Sequence, residues 1–221
     1  PTFGGDHLWI ASPFTREEIL RRVRHLDPSA PFRTAYQYQN LMFVAAGEVA
    51  AAAAGRPFET LLRERLIGPL GMKDTVLTMA ELGAAKNVAT PHERRDGTLK
   101  IVAFDDVDTL TAAGGLKSNV IDVTQWIRCH LSGGLIDKRR VLSGQVVSDM
   151  QAVRTPTLGR RDNRADPGAL FSGYGMGWGL TDYAGRRIVG HGGGLSGMIS
   201  RTTLVPSEKL GIVVLTNMAE N

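Results

Sequence analysis

The sequence predicts an α+β (mixed α/β) fold in which an antiparallel β-sheet packs with helices and a mostly helical lobe. The first observation is apolar residues at helical spacing in residues 1–153. The second is a series of short apolar runs in residues 154–221, separated by tight turns. Helices followed by consecutive hairpin-linked strands favour α+β over a doubly wound architecture. We therefore expect one composite domain, with a helical lobe over 1–153 and a sheet portion over 154–221.

The helical lobe begins with two segments that carry clear end signals. TREEILRRVRHL opens with Thr15 and has Glu18 three residues later, the spacing of a capping box. LMFVAAGEVAAAAAG follows from Leu41 to Gly55, and this glycine suits the position just after a helix. Both segments are predicted to be helices.

Three further helices are predicted in the same lobe. FETLLRERLIGPLGM should contain a shorter helix that breaks at Gly68-Pro69. SNVIDVTQWIRCHL should begin at a cap provided by Ser118, and SGQVVSDMQAV at one provided by Ser143.

The second part is predicted to be a loop over Arg154 to Gly173 and then an antiparallel meander. Its strand-length runs are YGMGWGLTDY, RRIVGHGG, GMISRTTLVP and KLGIVVLTN. The turn residues that bound them are Ala184-Gly185, Gly192 to Gly194 and Pro206-Ser207.

Composition argues against several classes of function. The 221 residues carry 26 basic and 22 acidic side chains, a net charge of +4 without a long basic cluster, so no nucleic-acid partner is expected. No apolar run approaches the ~20 residues of a membrane span. The five histidines are far apart and GYGMGWG lacks dinucleotide-binding spacing, so we expect neither a metal site nor a cofactor. The single cysteine, Cys129, is predicted to be a buried thiol.

Two short segments, far apart in the chain, combine polar side chains with a helix entry and with a run of glycines. AYQYQNLMF places Tyr38 and Asn40 just before a long helix, and VGHGGGLSG places His191 before three glycines. Taken singly, Tyr38 is typical of a half-buried tyrosine, Asn40 of a helix cap, His191 of a structural histidine and the glycines of a turn.

Taken together and in this order, Y-x-N and H-G-G resemble the serine β-lactamase and penicillin-binding-protein superfamily, in its class C-like branch of esterases and peptidases. The flanking segments FVAAGEV, LIGPLGMKDT, AAGGLKSNVIDVTQW and YGMGWGL extend the resemblance over the whole chain. The resemblance implies a β-lactamase/transpeptidase-like fold and a serine hydrolase that works through an acyl-enzyme.

The resemblance also implies roles for five residues. Tyr38 would share a proton with the nucleophilic serine and the motif lysine, and Asn40 would bond the substrate and hold that lysine. His191 would stand where other members carry lysine. Gly193 would leave the strand edge open to substrate, and the Gly194 N–H would be one oxyanion donor.

The S-x-x-K element of the family has no match in these residues. Ser207 comes nearest, with Lys209 two positions later, and PSEK is better explained as a surface turn. We therefore expect the nucleophile and its lysine in an N-terminal segment upstream of Pro1, which would complete the fold. The fragment alone is expected to be inactive.

The expected partner is a small-molecule ester, amide or peptide. Because neutral imidazole attracts carboxylates less than ammonium does, His191 favours esters or D-amino-acid amides over penicillin-like substrates. The alternatives are a non-catalytic member of the fold that binds peptide or cell-wall fragments, and an unrelated α+β interaction domain. The resemblance is consistent with a bacterial periplasmic or secreted protein, while the sequence itself leaves the compartment open.

Overall fold

The computed structural model describes residues 12–32, 34–157 and 169–220. The helices of these residues lie mostly in the first part of the chain. They are α1 (Arg16–Val23), α2 (Asn40–Ala54), α3 (Phe58–Leu62), α4 (Gly68–Leu70), α5 (Met79–Ala84), α6 (Thr111–Gly114), α7 (Val120–Leu131) and α8 (Gly144–Met150).

The strands fall into three sheets. They are β1 (His92–Arg95), β2 (Thr98–Ile101), β3 (Leu135–Ile136), β4 (Arg139–Arg140), β5 (Thr155–Pro156), β6 (Ser172–Tyr174), β7 (Gly179–Tyr183), β8 (Arg186–Leu195), β9 (Met198–Val205), β10 (Leu210–Thr216) and β11 (Met218–Glu220). The main sheet has the order β10-β9-β8-β7-β6-β5, and all its neighbours are antiparallel. A second sheet, β11-β1-β2, joins the chain's end to its first half, and β3 pairs with β4. The predicted α+β class is confirmed.

Local signals determine most helix ends. The Thr15 hydroxyl accepts a hydrogen bond from the Glu18 N–H at the start of α1, and Ser143 caps α8 in the same way. Gly55 ends α2 with a φ of 65°, a left-handed conformation that costs glycine little. The two caps and the glycine end are confirmed, but the Glu18 side chain accepts from Arg22 and not from the Thr15 N–H, so the capping box is only half formed.

The cap of α7 differs from the prediction. Asn119, not Ser118, is the N-cap, and its side chain accepts from the Asp122 N–H. The Ser118 hydroxyl instead lies 2.8 Å from that of Thr75. Either residue type can cap a helix, and this tertiary hydrogen bond engages the serine elsewhere.

The predicted break at Gly68-Pro69 is also wrong. The chain remains helical to Leu70 because a π-helical turn, Arg63–Ile67, joins α3 to α4. Pro69 stands near the start of α4, directly after this π-helical turn. The helix ends at Gly71, which has a φ of 70°.

The predicted loop over Arg154 to Gly173 is interrupted by short strands at both ends. Thr155–Pro156 pairs with Ser172–Tyr174 as β5 and β6. The middle of that loop, residues 158–168, lies outside the described residues.

Helix α7 packs across the main sheet and buries the core that supports the site. The buried side chains of this core are Ile127, Trp178, Leu180, Val189 and Leu204. Gly211 of β10 lets the helix approach, since a Cβ there would lie 2.2 Å from Ile127 Cγ2. Cys129, also on α7, is fully buried, as predicted, and burial raises the pKa of its thiol.

None of the helices in the described part of the chain is by itself long and apolar enough to span a membrane. Asn40–Ala54 and Phe58–Leu70 meet the length and composition criteria only as a pair, and the two helices are bent by 81°.

Candidate active site

The first half of the candidate site is the entry to α2. The Gln39 side chain caps this helix by accepting from the Leu41 N–H at 3.3 Å. Asn40 is therefore the first helical residue and not the cap, and its side chain lies beside Tyr38, with 3.4 Å between Tyr38 Oη and Asn40 Oδ1. The helix entry thus holds the two Y-x-N side chains next to each other.

The second half is the glycine-rich end of β8. Gly192, Gly193 and Gly194 do not form the predicted turn, because they pair with Arg201, Ser200 and Ile199 of β9.

The turn between β8 and β9 comes later, at Ser196-Gly197. Gly197 has a φ of 67°, and a Cβ there would lie 2.5 Å from the His92 backbone nitrogen. Only glycine meets both demands, so the turn forms there and the preceding glycines are free to continue the strand.

The other edge of this strand end has no strand beside it in the described residues. The β7–β8 pairing ends at Gly179↔Gly190, whereas β8 continues to Leu195. Backbone groups from His191 onward on that edge are therefore available to a ligand that adds alongside the strand. A Cβ on Gly193 would also lie 2.6 Å from Ser200 Oγ, so the glycine avoids a clash.

The fold brings these two halves together. The rings of Tyr38 and His191 have centroids 5.9 Å apart, although the residues are separated by about 150 positions in sequence. Tyr38, with Asn40 beside it, therefore lies next to His191 at the glycine-rich end of β8. This convergence makes the alternative of an unrelated interaction domain wrong.

Tyr174 belongs to the same cluster and was not predicted from the sequence. Its hydroxyl lies 2.8 Å from His191 Nε2, and its ring lies 6.1 Å from that of Tyr38 and 5.4 Å from that of Tyr36. Its segment, YGMGWG, carries no local signal that marks this tyrosine as a partner of His191.

Electrostatics keep both members of the Tyr174–His191 pair neutral. Burial lowers the pKa of His191, the positive charge of Arg201 lowers it further, and a hydrogen bond with the Gly192 carbonyl raises it in part. Burial raises the pKa of Tyr174 well above its ordinary value, and Tyr38 and Tyr36 add to this effect. Burial, with the neighbouring phenols, thus makes ionisation of Tyr174 unfavourable.

A carboxylate fixes the turn that follows the glycine-rich strand. Asp105 accepts from the Ser196 N–H at 2.8 Å and from the Ser196 hydroxyl at 3.0 Å. Leu195, one residue earlier, packs on the core cluster formed by α1 and α2. The strand end is thereby anchored to the helical lobe that carries Tyr38.

An open cavity of about 230 Å³ adjoins this cluster. Aromatic and apolar side chains dominate its lining, which includes Phe32, Tyr36, Tyr38, Phe43 and Tyr174. Within the described ranges, no group of three or more His, Cys, Asp or Glu side chains is placed to hold a metal ion.

Comparison with known proteins identifies the family. The Beta-lactamase family model matches residues 1–221. The chain belongs to the Beta-lactamase family. Among curated relatives, it is 32% identical over 219 residues to the unguisins hydrolase ungD' of Aspergillus campestris, covering 97% of this chain and 38% of that protein.

Other proteins that this Beta-lactamase family member resembles include an enzyme and a solved structure. A D-aminopeptidase of Cereibacter sphaeroides is 26% identical over 210 residues, which cover 94% of this chain and 37% of the enzyme. The D-amino acid amidase of Ochrobactrum anthropi SV3, solved with L-phenylalanine amide, superposes with a TM-score of 0.69 at 22% identity, covering 95% of this chain and 58% of that one. The resemblance and the β-lactamase/penicillin-binding-protein fold predicted from the sequence are confirmed. The chain spans about two fifths of the length of the curated relatives.

Proposed function

We propose that this chain is the tyrosine- and histidine-bearing part of a serine hydrolase that cleaves esters or amides through an acyl-serine intermediate. The observation that carries this proposal is the open strand edge from His191 to Leu195, which lies beside Tyr38. A scissile carbonyl that lies against this edge can reach the backbone N–H groups of the strand and also the Tyr38 hydroxyl.

In the proposed reaction, a serine hydroxyl attacks the carbonyl carbon and gives its proton to the Tyr38 phenolate, which a lysine ammonium stabilises. The Gly194 N–H helps to stabilise the oxyanion, and Asn40 bonds the substrate and the lysine. Collapse of the tetrahedral intermediate transfers a proton to the leaving alcohol or amine. Water then hydrolyses the acyl-serine by the reverse proton path.

An upstream segment of the full-length protein supplies the serine and the lysine in this proposal. The length of the relatives supports it, because the chain covers 38% of the unguisins hydrolase. Strand β10 supports it as well. Among the strands that the structure describes, β10 is at the edge of the main sheet, and it exposes four apolar side chains, Leu210, Ile212, Val214 and Leu215. A long apolar edge strand is an aggregation hazard unless another segment covers it.

The proposed substrates are uncharged at the position next to His191, and amides of D-amino acids are the favoured class. The lowered pKa of His191 supports this preference, because a neutral imidazole does not form an ion pair with a substrate carboxylate. The relationship to a D-aminopeptidase supports the D-amino-acid class.

The test uses the full-length protein and a fluorophosphonate probe, read by intact mass. One adduct, with faster turnover of p-nitrophenyl acetate or a D-amino-acid amide than of nitrocefin, is expected. Tyr38→Phe should lower kcat by about 10²–10⁴-fold, the range for loss of a proton-transfer group. Tyr183→Phe is the matched control, because this tyrosine is exposed on β7.

Two outcomes would contradict the proposal in different ways. Absence of both adduct and turnover would favour the non-catalytic member that only binds peptide or cell-wall fragments. Faster hydrolysis of nitrocefin than of the ester and the amide would refute the substrate preference while leaving the serine mechanism standing.

A further inference from the structure

The imidazole of His191 is hydrogen-bonded at both nitrogens. Nδ1 lies 2.6 Å from the Gly192 carbonyl oxygen, and Nε2 lies 2.8 Å from Tyr174 Oη. A carbonyl oxygen only accepts, so Nδ1 carries the proton and donates it. In the neutral ring Nε2 must then accept, and the Tyr174 hydroxyl donates.

The backbone of Tyr174 is fixed on both sides. It pairs with Thr155 of β5 and with Gly179 of β7, and its carbonyl accepts from the Arg154 N–H at 2.8 Å. A Cβ on the next residue, Gly175, would lie 2.3 Å from the Met150 carbonyl oxygen, so the backbone just after β6 is packed tightly against the end of α8.

The ring of Tyr174 is fixed as well. Tyr36 and Tyr38 contact it from the helical lobe, with centroids 5.4 and 6.1 Å away. The hydroxyl therefore reaches His191 from a rigid position and not as one conformer of a mobile side chain.

The charged and titratable groups that the structure describes around His191 do not favour its protonated form. Tyr38 faces it from the entry to α2, Tyr174 from β6, and Arg201 from β9. Among the described residues, these neighbours include no carboxylate that would stabilise an imidazolium, and Arg201 repels one.

We propose that Tyr174 is a positioning residue that holds His191 as the neutral Nδ1–H imidazole and thereby determines which substrates the open strand edge accepts. An uncharged histidine admits esters and amides and gives no ion pair to a carboxylate. This proposal rests on the proposed function, because it concerns the specificity of that same site.

The first test needs no variant. Nitrogen-15 NMR of the full-length protein should show that Nδ1 is the protonated nitrogen of His191 at pH 8. An Nε2–H tautomer would overturn the proposal, since Tyr174 would then have to accept.

The second test compares the protonation of His191 in wild type, Tyr174→Phe and the control Tyr183→Phe. Loss of the donor removes a bond that favours the neutral ring, so the pKa of His191 should rise in Tyr174→Phe. Wild type and Tyr183→Phe should titrate alike. An unchanged or lower pKa in Tyr174→Phe would contradict the proposal.

Kinetics link the tautomer to specificity. Tyr174→Phe should lose about 3- to 10-fold in kcat/KM for p-nitrophenyl acetate, the range expected for one neutral hydrogen bond. Nitrocefin carries a carboxylate and the ester does not. As the pH is lowered, kcat/KM for nitrocefin divided by kcat/KM for the ester should rise in Tyr174→Phe but not in Tyr183→Phe. A ratio that stays at the wild-type value across the pH range would refute the specificity role.

The two proposals fail separately. An active wild type with an unaltered His191 titration in Tyr174→Phe would refute only the role of Tyr174. A wild type that forms no acyl-enzyme would refute the proposed function, whatever the NMR titration shows.

Discussion

His130 provides a test of the core that supports the site, because it is a buried histidine with no place for a second proton. It is 3% exposed, and its ring lies edge-on to Trp126 and Trp178, with centroids 4.2 and 5.1 Å away. Nδ1 lies 3.2 Å from Gln151 Nε2, an amide nitrogen that can only donate, so Nδ1 accepts. Nε2 is buried without a hydrogen-bond partner in the described part of the chain.

Burial consequently lowers the pKa of His130 from 6.5 to about 4. Between these values the unfolded chain binds a proton that the native protein does not, so stability rises with pH. The part of the unfolding free energy that depends on His130 being neutral in the native protein is fully present above pH 6.5 and is lost as the pH falls toward 4. One pKa unit corresponds to about 1.4 kcal/mol, so the whole loss is about 3 kcal/mol.

The perturbation is His130→Gln in the full-length protein, measured as the free energy of unfolding in denaturant at several pH values from 7.5 to 4. Wild type should lose up to ~1.4 kcal/mol more per pH unit than the variant between pH 6.5 and 4. His25→Gln, which removes an exposed imidazole, is the control for a surface substitution. Equal slopes in wild type and His130→Gln would refute the reasoning.

Two further predictions concern the supports of the site. Asp105→Ala removes both hydrogen bonds to Ser196, so it should cost about 1–3 kcal/mol of unfolding free energy and lower kcat/KM. Ser196→Ala removes only the hydroxyl bond and should cost less unfolding free energy. Equal costs in the two variants would contradict this account. Gly211→Ala should lower stability by about 1–3 kcal/mol, because the new Cβ would lie 2.2 Å from Ile127 Cγ2. Thermal unfolding of Gly211→Ala measures that cost, with Gly83→Ala as control, since a Cβ on Gly83 meets nothing within 4 Å. An unchanged Tm in Gly211→Ala would show that α7 can shift away from β10.

Local chemistry allowed much of the fold to be predicted. The Thr15 and Ser143 caps and the Gly55 end of α2 depend on residues a few positions apart. The hairpin turn at Ala184-Gly185 is equally local, and both residues have positive φ. Each of these features was predictable because the interaction that forms it lies within one turn of chain.

The site was predictable only in part. Y-x-N and H-G-G pointed to Tyr38 and His191, and the fold brings these two rings to within 5.9 Å of each other. Their catalytic roles stay predictions, as does the division of the chain at residue 153. Tyr174 was not found, because nothing near it in sequence marks a tyrosine that hydrogen-bonds a histidine 17 residues later on another strand.

The sequence by itself determined the helices α1, α2, α7 and α8, the strands β8 to β10, the turn at Ala184-Gly185 and the membership of the family. Only the tertiary structure decided that Gly192 to Gly194 continue a strand, that Asn119 and not Ser118 caps α7, and that Tyr174 donates to His191. The physical reason is the same in each case. Glycine, serine and tyrosine accept several local conformations or partners, and the choice among them is made by a neighbour that is distant in sequence.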